Sequence, residues 1–204
     1  MPRERPEWET AYRDKEAESL SWFENRPDVS LDLIRLTGLS RDAVVVDVGA
    51  GSSPVLICLA REGWGNLTAV DLSPSALAGL KAQLPASTKI TTIAADICDW
   101  QPKHRFDLWH DRAALHFLTD RDDRLAYVGT LKAALKPGGF AVFGAFAPDG
   151  PDTCFGQRIQ RYDAQELSAL LGDEFRLVEE RRHTHATPRG TEQRYFYALM
   201  QRAG

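Results

Sequence analysis

Five short apolar runs are spaced along the middle of the chain: AVVVDVG (43–49), LTAVDLS (67–73), ITTIAAD (90–96), FDLWHD (106–111) and FAVFGAFA (140–147). Each is nearly continuous in apolar character rather than alternating, as strands are when both faces of their sheet are covered. The covering material lies between and around them, in PVLICLAREG, SPSALAGLKAQL and DRDDRLAYVGTLKAALKPGG, which carry helical patterns. Strand and helix in alternation call for an α/β domain on a mainly parallel sheet with helices on both faces, because parallel neighbours need a long crossover between them.

The punctuation agrees. Ser73 before Pro74 supplies an N-cap and a proline for the first helical turn. Leu125, Val128, Leu131 and Leu135 recur at spacings of three and four, which predicts the buried stripe of a long helix that Pro137-Gly138-Gly139 should end. After a short helix at DAQELSALLG the rhythm turns to alternation in EFRLVEERRHTH and EQRYFYALMQ, as in two strands of a terminal hairpin. Near the start, Trp8, Tyr12, Trp22 and Phe23 stand among many charges. Residues 1–30 are therefore expected to form a helical cap over the sheet's carboxyl edge, where open α/β sheets bind ligands.

The length of 204 residues suits one domain, 1–204, with one sizeable core. With 25 Lys and Arg against 29 Asp and Glu, the formal charge of −4 offers no general attraction for phosphate backbones or anionic membranes. Nucleic acid is disfavoured as a partner, and no sequence feature specifies an oligomer. Cys58, Cys98 and Cys154 lack metal-site spacing and read as reduced thiols. The charged start has no apolar leader core and no run reaches the length of a membrane span, so a cytoplasmic protein without a membrane partner is expected.

The most informative stretch is VVVDVGAGSSP (44–54), a strand running into a glycine turn. Gly49 and Gly51 allow a sharp turn and close backbone approach, and the helix that follows offers free N–H groups. A dinucleotide-binding turn wants a third glycine where this chain has Pro54, which donates no N–H and adds bulk. Asp47, two residues before Gly49, suits an ammonium or sulfonium better than a pyrophosphate. Asp71 is placed to accept from a ribose diol, which fits either ligand. Asp96 can accept from an adenine amino group with Ile97 against the ring. Three carboxylates thus end three successive strands.

These segments together resemble the class I S-adenosylmethionine-dependent methyltransferases. VVVDVGAGSSP is similar to their first motif, AVDLS to their ribose-binding strand end, AADI to their adenine-contact strand, FDLWHDRAALHF to their fourth-strand motif, and LKPGGFAVFGAF to the turn into their fifth strand. The match spans roughly residues 40 to 147 and departs from the family at Ser52-Ser53-Pro54. The resemblance implies a Rossmann-like seven-stranded sheet of order 3-2-1-4-5-7-6 with the last strand antiparallel. It implies S-adenosyl-L-methionine as cofactor, with Asp47 and Gly49 at the methionine end and Ala50, Gly51 and Ser53 also among the cofactor contacts. Asp71 and Leu72 would then face the ribose, and Asp96 and Ile97 the adenine, with His110 and Trp22 bordering the site.

Methyl transfer is an in-line displacement that the protein assists by alignment and desolvation, with a base needed only for a protonated acceptor. The loop after the fourth strand supplies the candidates Asp111, His110 and His116 for catalysis. Phe23, Arg112, Arg158 and Tyr162 are candidates for contact with the acceptor, and Arg158 and Arg161 could recognise a carboxylate or phosphate on it. Cys154 as a nucleophile and His183 with His185 as a metal pair lack identifiable partners, and no metal is expected. The segment LWHDRAALHFLTDRDDRLAY is similar to thiopurine and other thiol methyltransferases, which points to a small-molecule acceptor. The segment WETAYRDKEAESLSWF is similar to protein-lysine methyltransferases, so a protein acceptor stays open. A nicotinamide-dependent oxidoreductase and a non-catalytic cofactor binder are the remaining alternatives.

Overall fold

Runs of Val, Leu and Ile with almost no polar interruption can be buried on both faces only as inner strands of a layered sheet, and four of the five lie there; the run at 90–94 is the sheet's edge strand and has no buried residue. A computed structural model describes residues 6–14 and 19–204. The helices are α1 (Pro6–Asp14), α2 (Asp28–Leu36), α3 (Pro54–Arg61), α4 (Pro74–Gln83), α5 (Arg121–Ala134) and α6 (Ala164–Leu171). The strands are β1 (Val44–Val48), β2 (Asn66–Asp71), β3 (Ile90–Ala94), β4 (Phe106–Arg112), β5 (Leu135–Phe146), β6 (Thr153–Cys154), β7 (Gln157–Arg158), β8 (Phe175–Ala186) and β9 (Glu192–Arg202). One seven-stranded sheet has the order β3-β2-β1-β4-β5-β9-β8, and β6 with β7 forms a separate two-stranded hairpin. With that small hairpin left uncounted, the order is the expected 3-2-1-4-5-7-6, and β9 runs antiparallel to both neighbours.

Side-chain parity divides the core. Val46 and Val48 of β1, Trp109 of β4 and Phe143 of β5 face one layer with Tyr127 and Leu131 of α5 and Leu167 of α6. Val45, Leu67, Leu108 and Val142 face the other, with Leu31 and Ile34 of α2, Leu56 of α3 and Leu80 of α4. Asp47, His110 and Arg112 share the parity of this second layer, and Asp47 and His110 are direct cross-strand neighbours in the β1–β4 register.

Two expectations about the long helix are corrected. Leu125 is 49% exposed, and the buried face is Tyr127, Val128, Thr130, Leu131 and Ala134. Leu125 fits the stripe by spacing, but the larger Tyr127 ring takes the core position, where its hydroxyl meets the Trp109 indole N–H at 2.9 Å. The helix ends at Ala134, before the Pro137-Gly138-Gly139 turn, because Leu135 is already extended and pairs with Phe106. Pro137 and Gly138 instead form an irregularity inside β5: the register jumps from Phe106↔Leu135 to Leu108↔Phe140. The positive φ of Gly138, 76°, is used there.

The part of the expected N-terminal cap at residues 1–5 and 15–18 lies outside the described residues. The rest is α1, an irregular segment at 19–27 and the first residues of α2. No helix among the described residues is long and apolar enough to cross a membrane. Replacing Leu131, fully buried, by alanine should cost about 2–5 kcal/mol in urea unfolding. Leu125→Ala should stay within about 0.5 kcal/mol. Equal losses at the two positions would contradict this orientation of α5.

Candidate functional site

The glycine turn is shaped by its neighbours. Gly49 has φ 60°, and a Cβ there would meet the Ala114 Cβ at 2.5 Å; Gly51 has φ 52°, and a Cβ there would run into the Tyr12 hydroxyl. Only glycine fits either place. Ser53, with φ 28°, caps α3 by accepting from the Leu56 N–H at 3.1 Å, and its own hydroxyl donates to Asp47 Oδ2. Pro54 then sits in the first turn of α3, where it has no hydrogen bond to lose.

Asp71 organises the next turn. Its Oδ2 accepts from the Gly51 N–H at 2.7 Å and its Oδ1 from the Ser73 N–H at 2.8 Å. Burial pushes this carboxyl up to about 6, against the pull of those N–H groups. Ser73 caps α4 through the Ala76 N–H at 3.0 Å. Asp96 lies two residues past the end of β3 and accepts from the Cys98 N–H at 2.9 Å through Oδ1. Its Oδ2 is buried with no hydrogen-bond partner among the described residues.

Asp47 is held from both sides. His110 Nδ1 lies 2.6 Å from its Oδ1, and His110 Nε2 lies 2.9 Å from the Ser30 hydroxyl of α2. All three side chains are buried.

The N-terminal elements close the site. Glu9 of α1 accepts from the Ser73 hydroxyl at 2.6 Å, from the Ser75 N–H at 3.3 Å and from the Ser75 hydroxyl, so α1 is pinned to the start of α4. The Trp22 indole donates to the Tyr12 hydroxyl at 3.2 Å. Trp8 packs edge-on against Trp22 and Phe117 and stacks on Phe155, with ring centroids 5.9, 4.7 and 5.5 Å apart. Arg112 ties the following segment down. It donates from Nη1 to the Trp22 carbonyl at 2.7 Å and from Nε to the Tyr197 hydroxyl at 3.0 Å, and it pairs with Glu24 at 3.1 Å. Its guanidinium also lies 5.0 Å from the Tyr195 ring.

Many of these residues line one open-mouthed cavity. Among the expected site residues, Asp47, Gly49, Ala50, Ser53, Asp71, Leu72, Asp96, Ile97, His110, Trp22, Phe23 and Arg112 line it. Gly51 acts one step back, through its N–H to Asp71. Four expected residues lie elsewhere. Asp111 has the opposite parity to His110 and points into the α5 layer, accepting from the Tyr127 hydroxyl at 2.5 Å and from the Ala114 and Leu115 N–H groups at 2.9 and 3.1 Å. It anchors the turn after β4 and does not reach the cavity.

His116 is buried between Phe117 and Phe146, its ring nitrogens without a hydrogen-bond partner among the described residues. Burial and the nearby Arg112 push it down to about 3, which keeps the imidazole neutral. Tyr162 faces a small void beside Asp111 and Leu115, and Arg158 is exposed on β7. Cys154 does line the cavity, but burial pushes its thiol up to about 11, away from a nucleophilic thiolate. His183 and His185 face Glu24, at 4.0 and 3.5 Å.

Trp8, Tyr12, Glu24 and Phe117 complete the wall and were not singled out as ligand contacts. The aromatic density of EWETAYRD signalled a packed cap but not which rings would turn inward.

Residues 45–139 match a family model described as a methyltransferase domain. The chain is 29% identical over 113 residues to EEF1A lysine methyltransferase 2 of Danio rerio, covering 51% of this chain and 48% of that protein. It is 26% identical over 118 residues to trans-aconitate 2-methyltransferase of Escherichia coli O1:K1 / APEC, covering 57% and 45%. It thus spans about half the length of the curated relatives it matches. The structure of the N-methyltransferase NodS from Bradyrhizobium japonicum WM9, in complex with S-adenosyl-L-homocysteine, superposes with a TM-score of 0.74 at 20% identity, over 97% of this chain and 99% of that one. The chain has the fold of the S-adenosylmethionine-dependent class I methyltransferases, and its residues 45–139 are similar to the methyltransferase-domain family.

Asp111 gives a prediction with a definite sign. Burial raises its folded pKa to about 6, above the unfolded value near 3.9. The folded state therefore keeps a proton that the unfolded state releases, and Asp111's contribution to stability falls as pH rises from about 4 to 6. Urea titrations should show wild type losing on the order of 2–3 kcal/mol across that window relative to Asp111→Asn. Parallel pH profiles for the two proteins would contradict this assignment.

Proposed function

We propose that this protein transfers a methyl group from S-adenosyl-L-methionine to a small-molecule acceptor held in the cavity beneath α1. The observation that carries this reading is the set of three carboxylates, Asp47, Asp71 and Asp96, facing one enclosed cavity beside a glycine turn. These residues fit the cofactor. The unpartnered Asp96 Oδ2 supplies the acceptor an adenine amino group requires, and a buried oxygen without a partner is costly otherwise. Asp71 uses two of its roughly four lone-pair sites on backbone N–H groups, which leaves capacity for a ribose diol. Asp47 presents negative charge where the methionine end, with its ammonium and sulfonium, would lie.

When bound, S-adenosyl-L-methionine supplies a methyl group on a cationic sulfur that leaves as a neutral thioether. The chain's part is alignment and exclusion of water. His110 and Ser53 hold Asp47 in one orientation, and α1, latched by Glu9, roofs the site. Both ring nitrogens of His110 are already hydrogen bonded, so its first role is to position Asp47. The pinned roof supports a small acceptor over a lysine on a folded protein, which would need an open groove at the sheet's edge.

Two measurements test this. In calorimetric titrations with S-adenosyl-L-homocysteine, Asp71→Asn should lose about 1–3 kcal/mol of affinity; unchanged affinity would remove Asp71 from the site. Incubation with methyl-labelled cofactor and fractionated cell extract should place label in the small-molecule fraction. Label in protein alone would overturn the acceptor reading.

A further inference from the structure

Five rings stand on the cavity wall: Trp8, Tyr12, Trp22, Phe23 and Phe117, with the Tyr12 hydroxyl over Gly51. The charges on the cavity wall are lopsided. Among the described residues, four carboxylates, Glu24, Asp47, Asp71 and Asp96, face one guanidinium, Arg112, and one imidazole, His110, which lies 2.6 Å from Asp47. That guanidinium is already engaged, by Glu24, the Trp22 carbonyl, the Tyr197 hydroxyl and the Tyr195 ring. An acceptor bearing a carboxylate or phosphate would therefore find no free guanidinium or ammonium among the described residues that line the cavity. It would have to break the clamp that holds residues 22–24, or lie unpaired in a negative field.

A cofactor with one carboxylate, one ammonium and one sulfonium brings a single net positive charge. Asp47, Asp71 and Asp96 outweigh it, and Glu24 offsets Arg112. The occupied cavity thus keeps excess negative charge, which favours a cation at its remaining end. Aromatic faces add to that preference, since a cation against an indole or phenyl face is attracted by the ring quadrupole.

We propose that the acceptor is a small basic amine, aliphatic or heteroaromatic, which enters as a cation and binds against Trp8, Trp22 and Phe117. This rests on the methyltransferase reading above and narrows its acceptor. It separates this chain from the acid acceptor named for the trans-aconitate relative, and from a thiolate. The nitrogen first gives its proton to water. Its lone pair then forms the N–C bond as the C–S bond breaks, and the electron pair of that bond leaves with the thioether.

The test uses the whole chain saturated with S-adenosyl-L-homocysteine and three matched probes: 2-phenylethylamine, 2-phenylethanol and 3-phenylpropionate. Binding is read by calorimetry and by quenching of tryptophan fluorescence. The amine should bind at least tenfold more tightly than the alcohol and the acid more weakly than either, with the amine's advantage shrinking as salt is raised. Trp8→Leu should reduce the amine's advantage over the alcohol severalfold while leaving S-adenosyl-L-homocysteine affinity within twofold.

Equal binding of amine and alcohol, or tighter binding of the acid, would overturn the proposal even where S-adenosyl-L-homocysteine binds well. Failure of S-adenosyl-L-homocysteine itself to bind would instead remove the cofactor reading beneath it. If Trp8→Leu does not fold, the salt dependence and probe ranking of the wild type decide the matter.

Discussion

The Asp71 carboxylate, buried at the end of β2 with the Gly51 and Ser73 N–H groups on its oxygens, is the contact on which the rest of the site depends. One side chain fixes the glycine turn that leads into α3 and the turn that leads into α4. Because Ser73 is thereby set to cap α4, its hydroxyl is also set to receive Glu9, and the position of α1 follows. Burying a carboxylate this deeply is unfavourable, as its pKa near 6 records. Two backbone N–H groups offset part of that cost. A bound ligand that donates hydroxyls or brings positive charge would offset more, which is why the site is poised for such a ligand.

The second constraint is the register of β1 against β4. Direct pairing of Asp47 with His110 puts both side chains on the α2 face of the sheet, where Ser30 completes the hydrogen-bonded chain. Two residues further along β4, Arg112 keeps the same parity and reaches the N-terminal segment. A single-residue slip would turn His110 and Arg112 into the α5 layer and bring Asp111 to the cavity. The sheet's pairing therefore determines which acids and bases of HDR serve the site.

Much of this was legible in the order of residues. The near-continuous apolar strands announced a mainly parallel sheet with helices on both faces, and VVVDVGAGSSP with Asp71 and Asp96 announced residues that line the cavity. Parity was the part misread. Asp111 and His110 are neighbours in sequence and both polar, yet successive strand residues face opposite sides. Which side holds the cavity is fixed only by the helices packed on it. Leu125 was misplaced for a related reason: the 3.6-residue period allows several stripes on α5, and the Tyr127–Trp109 hydrogen bond selects one of them. The inward-facing rings of α1 could not be read at all, since their direction depends on Glu9 finding Ser73 and Ser75, 64 and 66 residues away.

The central claim is that the three strand-end acids receive one adenosyl ligand carrying a cationic methyl donor. A crystal structure grown with S-adenosyl-L-homocysteine tests it most directly. The account predicts the adenine amino group within hydrogen-bond distance of Asp96 Oδ2, the ribose hydroxyls on Asp71 and the methionine end at Asp47, with α1 closed above. A ligand that leaves Asp96 Oδ2 unpartnered, or a dinucleotide phosphate seated on the turn at Gly49, would contradict it.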